Sequence, residues 1–546
     1  MLVSEAVAEV LAGYGADTVF GVVGSGNFLV TSALIARGAR FVAARHECGA
    51  ASMADGWARL AGRPGVLSVH QGPGLTNALT GITEAAKSRT PLIVLAADVA
   101  SSAVRSNFRI DVPAIARGIG AVPFRLHSPG FAVDDTVRAY RTAAAERRTV
   151  ILALPLDVQS SECEPPTVPE LQPVVHAPPD PAAVARLTEA ISSAGRPVFI
   201  AGRGARIAGA RADLERLADA CGALLATSAA AKGLFRGSPW DLDVSGGFAS
   251  PLAAELIRGA DLVVAWGCSL NMWTLRHGSL IGSNTVVAQV DVAADAIGAH
   301  RTVDIGVTGD VAATARAVAD LIDARAHGGY RSDELRDRIA AGVRWRDVHY
   351  QDESGDGRID PRTLSIALDD MLPAERIVAV DSGNFMGYPS MFLSVPDADG
   401  FTFTQAFQSV GLGLASAIGS AIARPDRLTI AALGDGGALM GISELETAVR
   451  LRLPMVIVVY DDEAYGAEVH HFGPEGYPLD AVQFPPADLS QIARGFGCAA
   501  VRVRQAADLA NIRDWLAGPR DRPLLIDAKV TSEHGSWWLD EAFRGH

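Results

Sequence analysis

The stretch Gly434-Asp435-Gly436, followed by Asp461-Asp462-Glu463-Ala464-Tyr465-Gly466, decides the fold class of this sequence. Residues 428–433 and 455–460 are apolar runs typical of buried strands, and the pattern of residues 443–451 between them predicts a helix. Both acidic clusters therefore follow the carboxyl ends of strands, where open α/β sheets bind ligands. Two carboxylates and a loop carbonyl suit Mg²⁺ or Ca²⁺, and nearby glycines let backbone amides approach a diphosphate. Two acidic turns of an ordinary doubly wound sheet are the alternative interpretation.

A second pair of segments places an acid and a histidine near the amino terminus. Residues 41–45 are predicted as a strand that leads into His46-Glu47-Cys48-Gly49-Ala50-Ala51, the start of a helix lined with small residues. Such a helix surface lets a neighbouring backbone approach closely. Residues 66–69 predict another strand, which leads into His70-Gln71-Gly72-Pro73-Gly74-Leu75-Thr76-Asn77 and a second helix. Taken alone, Glu47 is also explained by the preference for acidic side chains at helix starts.

Length, charge and cysteine usage restrict the class of protein. A chain of 546 residues predicts about three domains on the usual size of a domain. The net charge of −14 and the pI near 5.4 argue against nucleic acid or an anionic membrane as a partner. No apolar run reaches about 18 residues and the amino terminus lacks a basic start, so we expect a soluble cytoplasmic protein. The five cysteines have no C-x-x-C spacing, which argues against a zinc site or a disulfide framework.

Two linkers divide the chain. Residues 159–181 are rich in proline, including Pro173, and favour an extended connector, while residues 326–362 are rich in charge and contain Ser354-Gly355-Asp356-Gly357. Short apolar strands alternate with helical patterns in each part, so we predict three consecutive α/β domains with mostly parallel sheets, at 1–160, 182–330 and 355–546. The predicted strands are 17–22, 41–45, 66–70, 91–96 and 149–154, then 197–201, 222–227, 261–266 and 286–291, and finally 377–381, 428–433, 455–460 and 523–529.

Taken together, these motifs resemble those of thiamine diphosphate-dependent enzymes, and the likeness covers nearly the whole chain. The resemblance implies a pyrimidine-binding first domain, a Rossmann-like middle domain and a diphosphate-binding last domain. It implies that Glu47 hydrogen-bonds the aminopyrimidine ring of the cofactor, where a carboxylate can shuttle the proton that activates the thiazolium carbon. Asp435, Asp462 and the Ala464 carbonyl fall where the family holds its metal ion. The family usually has two asparagines where this chain has Asp461 and Asp462.

Other positions are carried over from the same resemblance as cofactor contacts. Val410, in Gln408-Ser409-Val410-Gly411-Leu412-Gly413, falls where the family places the side chain that bends the cofactor. Valine is smaller than the usual residue there, and plain core packing would also explain it. The remaining cofactor contacts implied by the resemblance are Asn77, Ser382, Gly383, Asn384, Gln408, Gly434, Gly436, Gly437, Tyr465 and Gly466.

Within that family the local likeness is strongest to benzoylformate decarboxylases. Ser25, in Phe20-Gly21-Val22-Val23-Gly24-Ser25, falls where a serine meets the substrate carboxylate, and His70 falls where those enzymes have an active-site histidine. The segment from Ala464 to Ala467, followed by His470-His471-Phe472, also resembles their cofactor-side helix. Against this, Asn107-Phe108-Arg109-Ile110-Asp111-Val112 partly resembles the Phe-Gln-Glu stretch of acetolactate synthases. An acetolactate-synthase-like carboligase therefore stays open.

The chemistry implied is decarboxylation of a 2-oxo acid, with the product carbon either protonated or added to an aldehyde or ketone acceptor. His70, His470 and His471 are candidate proton donors because imidazole titrates near neutral pH. Arg109 could bind an acidic substrate, although a structural ion pair is an equal alternative. In this family the pyrimidine and diphosphate motifs of one site come from different subunits. We therefore expect a homodimer or a dimer of dimers.

Two other classes of protein remain open. The glycine turn Gly202-Arg203-Gly204, after the strand at 197–201, and Trp266-Gly267-Cys268 could seat a dinucleotide, which would make the chain a nucleotide-dependent oxidoreductase. In some branches of the resembled family the middle domain binds FAD or an adenine nucleotide. A catalytically silent subunit that keeps the fold is the other class, and Glu47 argues against it because a silent copy has no chemical use for that acid.

Overall fold

The computed structural model describes residues 1–172, 178–322 and 329–539. It contains three consecutive domains, each with a six-stranded sheet whose strand pairs are all parallel and whose faces are covered by helices. The predicted α/β class with three parallel-sheet domains is therefore confirmed. Pro173 of the proline-rich linker and Ala326 of the charged linker lie outside the described residues.

The first domain has the strand order β2-β1-β3-β4-β6-β5. Its elements, in chain order, are α1 (Val3–Gly13), β1 (Thr18–Gly21), α2 (Phe28–Ala36), β2 (Arg40–Ala43), α3 (Glu47–Ala61), β3 (Gly65–Val69), α4 (Pro73–Lys87), β4 (Leu92–Asp98), α5 (Val112–Gly118), β5 (Val122–Arg125), α6 (Ala132–Ala145), β6 (Thr149–Pro155) and α7 (Leu156–Gln159).

The middle domain has the strand order β12-β11-β10-β7-β8-β9. Its elements are α8 (Pro181–Ser193), β7 (Pro197–Ala201), α9 (Arg203–Ile207), α10 (Arg211–Cys221), β8 (Leu224–Thr227), β9 (Asp241–Val244), α11 (Pro251–Arg258), β10 (Leu262–Trp266), α12 (Met272–Leu275), β11 (Val286–Asp291), β12 (Ile305–Thr308), α13 (Val311–Ala319) and α14 (Asp333–Gly342).

The last domain has the strand order β14-β13-β15-β16-β18-β17. Its elements are α15 (Pro361–Met371), β13 (Arg376–Val380), α16 (Gly387–Phe392), β14 (Phe401–Phe403), α17 (Gly413–Ala423), β15 (Leu428–Gly434), α18 (Asp435–Met440), α19 (Glu444–Arg450), β16 (Met455–Asp461), α20 (Gly466–Phe472), α21 (Leu489–Phe496), β17 (Ala499–Val503), α22 (Arg513–Ala517) and β18 (Leu524–Lys529).

The first and last domains share one apolar core, and helices α3 and α17 cross within it. A Cβ atom at Gly56 would lie 2.3 Å from the backbone oxygen of Ser416, and one at Gly419 would lie 2.0 Å from the oxygen of Met53. Side chains cannot be accommodated at such distances, so these glycines set the separation of the two helices. The close approach predicted for the small-residue helix after His46 is confirmed.

A buried ionic network joins the same two domains. Arg59 bridges Asp55 and Glu84, each at 2.8 Å, and Glu84 accepts hydrogen bonds from the backbone amides of Ala406 and Phe407. The first domain thereby fixes the start of the loop that carries Val410. No helix in residues 1–172, 178–322 or 329–539 is long and apolar enough to cross a membrane.

Candidate active site

The two acidic motifs of the last domain meet at one edge of its sheet. Strands β15 and β16 are parallel neighbours, with Gly434 opposite Tyr460, so Asp435 and Asp462 leave adjacent strand ends side by side. Burial, together with the charge of Asp462, raises the pKa of Asp435 to about 7. Burial also raises the pKa of Asp462 to about 6, helped by the charge of Asp461. These two carboxyl groups in contact, one buried and one half-buried, are therefore costly to ionise together without a cation.

The neighbouring acids at this edge have cationic partners. Glu463 lies 2.6 Å from Arg358, Asp527 lies 3.3 Å from Arg502, and Asp461 forms an ion pair with Lys529. By contrast, no ion pair to Asp435 or Asp462 occurs among the residues that the structure describes. These two carboxylates therefore fit a hard divalent cation, which prefers oxygen ligands.

The turn that carries Asp462 also brings the Ala464 backbone to the site. The amide of Glu463 donates to Asp461 Oδ1 at 3.2 Å, and Glu463 adopts a φ of +60°, which is unusual for a residue with a side chain. Hydrogen bonds from Tyr465 to Val482 and from Phe484 to Glu463 flank Ala464 on both sides. The peptide that would supply a carbonyl ligand is thus held on both sides.

The predicted phosphate-side residues lie around the same two aspartates. The Asn384 side chain hydrogen-bonds Asp462, and a Cβ at Gly466 would lie 2.3 Å from Asp462 Oδ2 and 3.0 Å from Asn384 Nδ2. A Cβ at Gly436 would lie 2.7 Å from the Tyr465 ring. Glycine is needed at both positions because any side chain would displace a site residue. Gly434 ends β15, and Ser382 and Gly383 lead into the turn at Asn384–Met386.

Asp381, which the sequence did not identify, positions the loop of Val410. Its fully buried carboxylate accepts hydrogen bonds from the amides of Gly411, at 3.0 Å, and Leu412, at 3.2 Å. A Cβ at Gly437 would lie 2.4 Å from Asp381 Oδ2 and 3.3 Å from Val410 Cγ1, so the diphosphate turn packs against both. Val410 itself is partly exposed, and Gln408 has a φ of +61°. The buried acid therefore connects three of the predicted cofactor loops.

The predicted pyrimidine residues form a separate group in the first domain. Glu47 is the first residue of α3, and its Oε2 accepts a hydrogen bond from Asn77 Nδ2 at 3.1 Å. His46 caps the helix by accepting the Cys48 amide at 3.1 Å. The buried Glu444 of the last domain accepts the amides of Arg45 and His46, at 3.0 and 3.1 Å. The position of Glu47 is therefore fixed from both domains.

His70 and Ser25 lie beside that group. His70 Nδ1 accepts the Gly26 amide at 3.1 Å, and its ring meets Phe108 edge-on at 5.4 Å. Because Nδ1 is an acceptor, the neutral ring carries its proton on Nε2. Ser25 is exposed next to Gly26, and Arg109 is exposed on the loop that brings Phe108 to His70. His70, Ser25 and this loop thus share one end of the first sheet.

His470 and His471 lie on α20, which begins at Gly466 beside the acidic motif. A Cβ at Gly535 would lie 3.1 Å from His470 Cγ, so the carboxy-terminal segment covers that ring. Burial and the nearby His534 lower the pKa of His470, which favours its neutral form. His471 contacts the Phe472 ring at 4.6 Å.

The pyrimidine-side and phosphate-side groups share no polar contact within the described residues of one chain. In the described part of the chain, no hydrogen bond or ion pair links Glu47, Asn77, His70 or Ser25 to Asp435 or Asp462. Exposed apolar side chains occur in the segments around each group. These are Val23, Phe28 and Leu29 in the first domain and Phe407, Val410, Leu439 and Met440 in the last.

The glycine turns of the middle domain pack against each other. A Cβ at Gly202 would lie 2.3 Å from the Gly267 oxygen, and one at Gly204 would lie 2.7 Å from Gly267 Cα. The amide of Gly204 donates to that same oxygen at 2.9 Å. The three glycines are thus explained by a close crossing of two loops and give no support to a dinucleotide site.

Family models agree with this three-domain arrangement. Residues 1–114 match the N-terminal TPP binding domain of thiamine pyrophosphate enzymes, residues 184–318 their central domain, and residues 381–528 their C-terminal TPP binding domain. The chain belongs to the thiamine pyrophosphate enzyme family. The predicted use of thiamine diphosphate and the predicted enzyme class, a thiamine diphosphate-dependent lyase or transferase, are confirmed.

Relatives of this thiamine diphosphate enzyme differ in activity. A probable 2-ketoarginine decarboxylase from Pseudomonas aeruginosa is 30% identical over 94% of this chain and 91% of its own length. A sulfoacetaldehyde acetyltransferase from Rhodobacter capsulatus is 28% identical over 86% of this chain and 83% of its own. An acetolactate synthase from Bacillus subtilis is 25% identical over 96% and 93%. Proteins named as a decarboxylase, a synthase and an acetyltransferase are thus all among the relatives, and the oxidoreductase alternative has no support.

Proposed function

We propose that this enzyme is a Mg²⁺-dependent decarboxylase of a 2-oxo acid, similar on its substrate side to benzoylformate decarboxylases. The observation that carries the metal assignment is the contact between the buried Asp435 and the half-buried Asp462, which no cationic side chain in the described residues neutralises. These carboxylates and the Ala464 carbonyl would hold the Mg²⁺ that anchors the diphosphate. When bound, thiamine diphosphate supplies the electron sink that lets a 2-oxo acid lose CO₂.

Glu47 would perform the first proton transfer. Its carboxylate accepts a hydrogen bond from Asn77 at 3.1 Å at the start of α3. A carboxylate next to a ring nitrogen, away from water, can exchange a proton with it. Glu444 keeps that end of α3 in place through the amides of Arg45 and His46.

Ser25 and His70 would act on the substrate. The exposed Ser25 hydroxyl would bind the substrate carboxylate, and the Nε2 proton of His70 would be donated to the product carbon or oxygen. The hydrogen bond from Gly26 supports this assignment because it leaves Nε2 as the protonated nitrogen. His470 and His471 are further proton donors on the phosphate side.

A carboligase is the second candidate, because relatives named acetolactate synthase and acetyltransferase align over most of this chain. In that case an aldehyde or ketone acceptor would take the place of the proton. Arg109, exposed on the loop beside His70, would then meet an acidic acceptor.

We also propose a homodimer or dimer of dimers in which Glu47 of one chain faces Asp435 of another. The lack of a polar contact between the two groups within the described residues of one chain and the exposed apolar side chains in the segments around each support this arrangement.

Two measurements test the proposed function. The midpoint temperature of thermal unfolding should rise with thiamine diphosphate plus Mg²⁺ and not with NAD. A ligand at about 100 times its Kd adds about 2.7 kcal/mol to the free energy of unfolding. A panel of 2-oxo acids, with and without aldehydes, should then release CO₂, and product mass separates decarboxylase from carboligase. No stabilisation by the cofactor and Mg²⁺, or no turnover of any 2-oxo acid, would contradict the proposal.

A further inference from the structure

The ion pair between Asp461 and Lys529 lies directly behind the proposed metal site. The two residues are opposite each other on the parallel strands β16 and β18. Their side chains are 2% and 8% exposed, and Lys529 Nζ also donates to the Ala487 backbone oxygen at 3.2 Å. The Lys529 ammonium group is therefore held at Asp461, the residue that directly precedes Asp462 in the chain.

Asp461 has two structural roles at once. One carboxylate oxygen, Oδ2, pairs with Lys529, while the other, Oδ1, accepts the Glu463 amide in the turn that presents Asp462 and Ala464. Lys529 also lies 3.5 Å from Glu463 Oε1, whose other oxygen pairs with Arg358. The lysine therefore neutralises the acids of the turn that do not face the metal.

We propose that Lys529 is a positioning residue of the metal site, and this inference rests on the proposed function. With Asp461 present, the pair is neutral and the divalent cation meets only the charges of Asp435 and Asp462. If Asp461 is replaced by the asparagine usual in the family, Lys529 keeps only the carboxylates of Glu463, at 3.5 Å, and Asp527, at 3.7 Å. These two acids are already paired with Arg358 and Arg502, so one positive charge close to Mg²⁺ is left without a matching acid. In a buried environment such a charge repels the cation strongly.

The test is whether Lys529→Met restores the Mg²⁺ affinity that Asp461→Asn lowers. Asp461→Asn keeps an oxygen for the Glu463 amide but removes the acid that neutralises Lys529, whereas Asp461→Asn with Lys529→Met removes both charges. Calorimetric titration of thiamine diphosphate at a series of fixed Mg²⁺ concentrations gives the Mg²⁺ concentration for half-saturation. We expect this half-saturating Mg²⁺ concentration to increase about tenfold or more in Asp461→Asn. In the double variant it should return to within about threefold of wild type.

A matched control uses another buried lysine. Lys232 donates to the Ser390 oxygen at 2.6 Å and lies 3.8 Å from Asp243, at the contact between the middle and last domains. Asp461→Asn with Lys232→Met removes the same kind of side chain but should give no recovery of Mg²⁺ affinity.

An unchanged Mg²⁺ requirement in Asp461→Asn would overturn the inference. So would a double variant as weak as Asp461→Asn, since Lys529 would then act only as a structural residue. Wild-type protein that bound no thiamine diphosphate at any Mg²⁺ concentration would instead contradict the proposed function itself.

Discussion

Glu47 gives the most direct chemical prediction, because its carboxylate accepts a hydrogen bond from Asn77 while Glu444 of the last domain holds the amides of Arg45 and His46 just before it. Glu47→Gln should keep the fold and bind thiamine diphosphate, since the amide has nearly the same shape. Exchange of the thiazolium carbon's proton with D₂O should nevertheless slow at least about 10²-fold, the low end for a lost acid–base group. Acid quench and NMR measure that exchange. An unchanged rate would mean that Glu47 only begins a helix.

His70 should affect a later step than Glu47. In His70→Ala the exchange of the thiazolium proton should be normal, while conversion of a 2-oxo acid should slow about 10²-fold because its Nε2 proton donor is gone. Stopped-assay CO₂ release measures the second step. Wild-type turnover in this variant would remove the support for a benzoylformate-decarboxylase-like site.

Asp381 should make stability depend on pH in a specific direction. Burial raises its pKa from 3.8 to about 6, although the amides of Ser382, Gly411, Gly413 and Leu412 favour the charged form. Its contribution to stability is therefore complete below about pH 4 and is lost as pH rises through about 6, a change of about 3 kcal/mol. Asparagine does not titrate. The free energy of unfolding of Asp381→Asn, measured with urea, should therefore rise relative to wild type by about 3 kcal/mol between pH 4 and 7.

The exposed Asp426 provides the control for that experiment. Arg424 lowers the pKa of Asp426 from 3.8 to about 2, so this carboxylate is ionised in both states above about pH 5 and the effect of Asp426→Asn should be nearly flat from there to pH 7. A flat difference for Asp381→Asn as well would show that its carboxyl group is ionised without cost.

The site residues that sequence motifs predict are those whose neighbours lie nearby in the chain or follow a known spacing. Asp435, Asp462, Glu47 and Asn77 belong to such motifs. Asp381, Lys529 and Glu444 were not identified because their hydrogen-bond partners lie 30, 68 and 399 residues away. For Lys529 the sequence offered one signal, which is Asp461 in place of the family's asparagine. An extra buried acid requires a cation as its partner.

Among the strands, sequence patterns predict the interior of each sheet better than its edges. Every interior strand is predicted to within two residues at either end, because burial on both faces requires a continuous apolar run. The observed strands without a prediction are β5, β9, β12, β14 and β17, and all five lie at sheet edges. Strands such as Asp241–Val244 are short and partly polar, so nothing in their pattern separates them from loops.

The crossing of α3 and α17 should be intolerant of a single methyl group. Gly419→Ala gains helix propensity but places a Cβ 2.0 Å from the Met53 backbone oxygen, which cannot move away independently. We expect a loss of about 1–3 kcal/mol in the free energy of unfolding, measured with urea. Gly118→Ala in α5, where a Cβ would meet nothing within 4 Å, should be neutral or slightly stabilising. Equal effects would contradict the role of the crossing.

The shared core holds the first domain, which carries the Glu47 group, rigidly against the last domain, which carries the Asp435 group. Helices α3 and α17 and the Arg59–Glu84 network fix the first domain on the last within each chain. In the described part of the chain, no hydrogen bond or ion pair joins the Glu47 group to the Asp435 group. We propose that a complete site combines the Glu47 group of one chain with the Asp435 group of another.

Mixed assemblies test that claim most directly. Copies with Glu47→Gln and with Asp435→Ala, carrying different affinity tags, are expressed together, and the mixed assembly is isolated over both affinity columns. Each parent alone should be nearly inactive. If each site combines Glu47 from one chain with Asp435 from another, a mixed dimer has one intact site of two and should regain about half of wild-type 2-oxo acid turnover. A mixed assembly as inactive as both parents would contradict a site built between chains.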